Sequence, residues 1–108
     1  MTMSDAITPD ELESILKDKN PPQVVDVRRP SDRQSDLSSV PGAIWMDPEK
    51  AGEWGKDLRN REVVIYCVRG GSVSRSVQAT LREKNISVRF IEGGLEAWKK
   101  SGKPVNNP

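Results

Sequence analysis

Hydrophobic positions along this chain fall into two kinds of run. Short, nearly unbroken apolar stretches rich in β-branched residues alternate with segments in which apolar residues return every three or four places. The first pattern predicts buried strands and the second amphipathic helices. Thr8-Pro9-Asp10-Glu11 has the form of a capping box with proline at the first helical position, and Leu12, Ile15 and Leu16 then recur at helical spacing. A first helix is expected over residues 9–18. Asn20-Pro21-Pro22 stops it, and residues 23–27 (Gln-Val-Val-Asp-Val) predict a short buried strand. Residues 28–40 are polar and proline-bearing, and read as a loop with a short helical turn near Ser31.

Pro41-Gly42 marks a turn, residues 43–46 a short strand, and Asp47-Pro48-Glu49 a helix start with an aspartate cap. Residues 62–66 (Glu-Val-Val-Ile-Tyr) form the clearest strand, apolar without alternation, as in a central parallel strand covered on both faces. After Cys67, the residues Val73, Val77 and Leu81 share one helical face, with Arg75, Arg82, Glu83 and Lys84 mainly elsewhere. Residues 87–91 predict another strand, Gly93-Gly94 a turn and residues 95–100 a last helix. The ends, residues 1–6 and 102–108, are expected to be flexible. Strands alternating with helices predict an α/β fold: a parallel sheet with helices on both faces.

With 108 residues, of which 34% are hydrophobic, the chain suits one modest core, so a single domain over 1–108 is expected. Seventeen Lys and Arg oppose sixteen Asp and Glu, and this near-neutral balance argues against nucleic acid or anionic lipid as partner. Arg28-Arg29 and Arg59-Asn60-Arg61 are too short and too diluted by acids to form a nucleic-acid patch. The longest apolar run, Val63 to Val68, is far shorter than a membrane span, and the N-terminus carries acids where a signal peptide needs a basic start. A cytoplasmic location is expected.

The chain holds one cysteine and no histidine, which leaves no internal disulfide, no evident zinc site and no Cys-His pair. No metal or organic cofactor is expected. A lone cysteine closing a buried strand is, on that fact alone, usually a small hydrophobe. Position changes this reading, because ligands of parallel α/β sheets gather at the carboxyl ends of strands. The loop Cys67-Val68-Arg69-Gly70-Gly71-Ser72 leads directly into the helix starting near Val73, so its backbone N–H groups can converge on one point. Two glycines permit the positive φ values such a curl requires. The expected product is an anion-binding nest at a helix N-terminus, able to hold a thiolate or a persulfide anion without a histidine base. Arg69 supplies a cation there, and Ser72 a hydroxyl donor at the mouth.

With these residues in hand, the chain is similar to the rhodanese family from about residue 7 to residue 105. Val24 to Arg28 (Val-Val-Asp-Val-Arg) resembles the family's first Asp-Val-Arg strand, and Val40 to Ile44 (Val-Pro-Gly-Ala-Ile) its Ile-Pro-Gly-Ala-Ile segment. Ile91 to Trp98 (Ile-Glu-Gly-Gly-Leu-Glu-Ala-Trp) resembles its Gly-Gly-x-x-Ala-Trp close, and Cys67 to Ser72 has the Cys-x-x-Gly-x-Ser/Thr form at the matching place. Four motifs in order make the resemblance specific. It implies a five-stranded parallel sheet and transfer of sulfane sulfur from thiosulfate, through a Cys67 persulfide, to a thiophilic acceptor such as cyanide or a thiol, a protein thiol included. It also implies that Arg69, at the third loop position, meets the sulfonate end of the donor. Mercaptopyruvate-type members favour a Cys-Gly-x-Gly loop, which this is not.

Two stretches depart from the family pattern. Residues 37–40 (Leu-Ser-Ser-Val) stand where many members have Gly-His-Ile, and Val73 stands where a serine is frequent, with Ser74 one place later. Asp26 and Arg28 are expected to brace neighbouring loops through charge-assisted hydrogen bonds, and Trp45 to flank the active-site mouth. Three other functions compete with thiosulfate sulfurtransfer. A phosphatase or arsenate reductase would need Cys-x5-Arg, but the sixth residue after Cys67 is Val73 and Arg75 comes too late. A partner-binding rhodanese-like module and a persulfide carrier fed by another protein are the remaining two.

Overall fold

The computed structural model describes residues 5–58 and 60–107, so the expectations for the first four residues, Arg59 and Pro108 lie outside the described residues. Five parallel strands form one sheet: β1 (Ala6–Ile7), β2 (Gln23–Asp26), β3 (Ile44–Trp45), β4 (Val63–Tyr66) and β5 (Val88–Ile91). Their spatial order is β1-β5-β4-β2-β3, which puts β4 at the centre. Ile65 of β4 is in register with Val25 on one side and Phe90 on the other. The fold is α/β, with the five-stranded parallel sheet that the sequence resemblance implies.

Among the described residues, five α-helices accompany the strands: α1 (Pro9–Ile15), α2 (Pro30–Ser35), α3 (Ala51–Trp54), α4 (Ser72–Glu83) and, after the last strand, α5 (Gly94–Lys100). The capping box of α1 is formed in both directions: Thr8 Oγ1 accepts the Glu11 N–H at 3.2 Å, and Glu11 Oε1 accepts the Thr8 N–H at 3.0 Å. Asp47 caps a 3₁₀ turn at Pro48–Lys50 by accepting the Glu49 N–H, and α3 follows directly.

Each face of the sheet carries a core. Val63, Ile65 and Cys67 point to one side with Trp54, Val77, Leu81 and Phe90. Val64 and Tyr66 point to the other with Leu12, Leu95 and Trp98. This two-sided burial explains why β4 is apolar without alternation. Among the described residues, no helix is long and apolar enough to cross a membrane.

Three expectations are corrected. Ala6 and Ile7, placed at a flexible end or left unassigned, form β1 beside β5; two residues are too few to carry a strand pattern. Residues 30–35, read as loop with a single turn, form a helix. The tail from residue 102, expected to fray, is laced to the body. Lys103 Nζ bonds Asp10 at 2.6 Å and Glu13 at 3.0 Å, Pro104 O accepts from Trp98 Nε1 at 2.7 Å, and Asn106 bridges Ser39.

Candidate active site

Cys67 follows the last residue of β4 and is 6% exposed. Its carbonyl and that of Val68 point toward α5: Cys67 O accepts the Leu95 N–H at 2.9 Å, and Val68 O accepts the Glu96 N–H at 3.0 Å. The first turn of α5 thus spends its unsatisfied donors on the cysteine loop. Among the described residues, no acceptor pairs with the backbone N–H groups of Val68, Arg69, Gly70 and Gly71. Carbonyls are fixed on one side of the loop, and the amides remain available as donors.

Gly70 has φ +71, and a Cβ there would stand 3.0 Å from Gly93 N and from Ile91 O. Both conformation and space therefore require glycine. Gly71 differs from the expectation of a paired positive φ: it precedes α4 with φ −90, and a Cβ on it meets nothing within 4 Å. One glycine, not two, makes the curl.

The hydroxyl on the sulfur also differs from the one expected. Ser74 Oγ donates to Cys67 Sγ at 2.9 Å from the first turn of α4, and Ser74 is wholly buried. Ser72 is exposed. Val73 packs its side chain against the core cluster that contains Cys67. Helical spacing accounts for this assignment: residue 74 projects from α4 on the same side as buried Val77, Gln78 and Leu81, at i+3, i+4 and i+7. That periodic signal could have identified Ser74 from the sequence.

Arg69 lies on the loop, but its side chain is 81% exposed and its Nε pairs with Glu96 Oε2 at 3.0 Å. Glu96 also reaches Lys100, and these pairs, Arg69 first, hold its carboxyl below the usual range. Glu96 thereby grips the loop twice, by backbone at Val68 and by side chain at Arg69.

Asp26 and Arg28 form a buried brace beside β4. Arg28 Nε and Nη2 engage the two Asp26 carboxylate oxygens at 3.0 and 2.7 Å, Nη1 donates to Asp36 O at 2.7 Å, and Nη2 also donates to Ser38 O at 3.1 Å. The guanidinium lies 5.9 Å from the Tyr66 ring centroid. Burial, aided by the Asp26 carboxylate, pushes the Tyr66 hydroxyl well above its ordinary pKa. It stays protonated, with the Val40 N–H donating to it at 3.3 Å. Trp45 joins the brace, donating from Nε1 to Arg28 O at 2.9 Å while the Arg33 guanidinium covers its ring.

Next to the cysteine loop opens a cleft of about 400 Å³, lined by Val68, Arg28, Asp32, Ser35, Asp36 and Lys99 among others. An ion pair of 2.7 Å joins Asp36 to Lys99 across the end of α2 and α5. Arg75, the late arginine of the phosphatase alternative, stacks 5.6 Å over Phe90.

A family model described as rhodanese-like domain matches residues 8–101. The chain is 31% identical over 111 residues to a sulfurtransferase of Allochromatium vinosum, with 98% of each chain covered. It superposes on a rhodanese-like domain protein of Staphylococcus aureus with a TM-score of 0.78 at 28% identity, over 96% of this chain and 100% of that one. A thiosulfate sulfurtransferase of Pseudomonas aeruginosa shares the fold at a TM-score of 0.78 and 23% identity, over 97% of this chain and 20% of that one.

Proposed function

Since this chain belongs to the family of rhodanese-like domains, we propose that it is a sulfurtransferase whose Cys67 accepts sulfane sulfur from thiosulfate and carries it as a persulfide. The observation that supports this most is the loop itself. Its carbonyls are held by α5, leaving the amides of residues 68–71 as donors around the end of β4. Donors so arranged suit an anionic sulfur and replace the base that a histidine supplies elsewhere.

In the first step the Cys67 thiolate attacks the outer sulfur of thiosulfate. A new S–S bond forms, the old one breaks, and its electron pair leaves with sulfite. In the second step an acceptor such as cyanide or a thiol takes the outer sulfur, and Cys67 returns as thiolate. Asp26, Arg28 and Trp45 act on this chemistry by bracing the framework beside β4.

Intact-mass measurement after thiosulfate treatment, followed by cyanide, tests the proposal. The wild-type chain should gain one sulfur, lose it to cyanide as thiocyanate and turn over repeatedly. Cys67→Ser, with its circular dichroism unchanged, should do none of these. Thiocyanate production by that variant at the wild-type rate would overturn the assignment of Cys67.

A second reading is favoured by the Arg69–Glu96 pair. An arginine already engaged by a carboxylate is poorly prepared to receive a sulfonate, which suits a carrier loaded by another persulfide rather than by thiosulfate. Loading rates with thiosulfate and with an uncharged polysulfide donor separate the two.

A further inference from the structure

The residue that bonds the sulfur directly is one the motif comparison left without a role. Ser74 Oγ donates to Cys67 Sγ at 2.9 Å, and Ser74 has no exposed surface. Position 73, where the family pattern favours serine, holds a valine that packs into the core. The hydroxyl therefore reaches the sulfur from one place further along α4.

We infer that Ser74 is a catalytic residue for sulfur release: it stabilises Cys67 Sγ as the leaving group when the persulfide is discharged. This inference rests on the persulfide reading above. It follows from where the negative charge sits in each state. In the persulfide the charge is on the outer sulfur, and Sγ is a neutral atom with single bonds to Cβ and to that sulfur. During discharge the acceptor's lone pair forms a bond to the outer sulfur, the S–S bond breaks, and its electron pair returns to Sγ. With cyanide, the products are thiocyanate and the Cys67 thiolate, so atoms and charge balance. The Ser74 proton stays on its own oxygen throughout.

A hydrogen bond fixed on Sγ therefore strengthens as discharge proceeds and weakens as loading proceeds, because loading removes charge from the same atom. Interactions that grow toward the transition state accelerate a step, and those that fade do not. Charged hydrogen bonds are the strong ones, and a buried donor aimed at the atom that receives the charge needs no rearrangement. The backbone amides of the loop complement this by serving the outer sulfur. The two states of the carrier thus use different donors, and Ser74 acts on the discharge half-reaction.

The test separates the half-reactions. Wild type, Ser74→Ala and, as a control on the exposed side of the same helix, Ser76→Ala are loaded with thiosulfate and then mixed with cyanide in single turnovers. Working at about pH 9.5, where an ordinary thiol is ionised, removes any difference in thiolate population. Intact mass reports the loaded fraction. Ser74→Ala should load no more slowly than wild type but discharge roughly tenfold more slowly, the scale of one lost hydrogen bond to a charged group. Ser76→Ala should match wild type in both. Discharge of Ser74→Ala within twofold of wild type, or equal slowing of loading and discharge, would overturn the inference while leaving the persulfide reading intact. Failure of the wild type to load would instead remove that reading.

Discussion

Gly94 stands so close beneath the cysteine loop that a Cβ on it would lie 2.6 Å from the Cys67 carbonyl oxygen and equally near the Val68 carbonyl. Its φ of +65 adds a second demand for glycine. Gly94→Ala should therefore cost stability twice, through left-handed backbone strain of about 1–2 kcal/mol and overpacking of about 1–3 kcal/mol. It should also push the loop off α5 and slow transfer. Gly71→Ala, with negative φ and open space at its Cβ, should change stability by less than about 1 kcal/mol. Urea denaturation of the two variants checks the contrast, and equal losses would show that loop and helix are not in contact through this glycine.

Glu96 restrains Arg69, and removing its charge should release the guanidinium for an anionic donor. Glu96→Gln is expected to raise kcat/KM for thiosulfate a few-fold, the modest scale of an exposed ion pair, and to leave an uncharged polysulfide donor unaffected. Arg69→Ala should lower thiosulfate use without altering the uncharged donor. A parallel change for both donors would mean that these residues act on the loop's shape instead of on donor charge.

Breaking the buried brace should be costly. Asp26→Asn leaves the Arg28 guanidinium, 1% exposed, without its counter-charge, and removing one partner of such a pair typically costs about 3–5 kcal/mol. Denaturant melts should show this loss, and a loss below about 1 kcal/mol would mean that the carbonyls of Asp36 and Ser38 suffice to hold Arg28.

Acid should weaken the contact between α2 and α5. The Lys99 ammonium, and then the Ser38 hydroxyl and N–H, hold the Asp36 carboxyl well below its ordinary value of 3.8. Because the folded-state pKa is depressed, the stabilisation is complete above the unfolded value and is lost as pH falls through and below it. Both partners are more than a third exposed, so solvent screening limits the effect to about 1 kcal/mol or less. Between pH 6 and about pH 3 the wild type should lose more stability than Asp36→Asn. Identical losses would remove this pair from the acid response.

Sequence patterns were most informative where local chemistry and burial agree. Thr8 and Glu11 announce the start of α1, and the unbroken apolar run before Cys67 marks a strand covered on both faces. The same logic placed Cys67 at the strand's carboxyl end. What escaped is decided by contacts across the fold. Ala6 and Ile7 become a strand only because β5 offers an edge. Lys103 is fixed by partners on α1 and Asn106 by Ser39, all distant in sequence. Gly70 and Gly71 look equivalent as letters, yet their roles differ because Ile91 and Gly93 crowd only the first. Arg69 likewise found its carboxylate on α5, 27 positions away.

On the persulfide reading, the recessed setting of Cys67 bears on what can collect the transferred sulfur. With only 6% of the residue exposed, Cys67 offers little surface to a bulky reagent. A sulfur attached to it stands one S–S bond, about 2 Å, further out. An acceptor thus needs to touch only the outer atom, and large electrophiles should modify the loaded chain faster than the empty one.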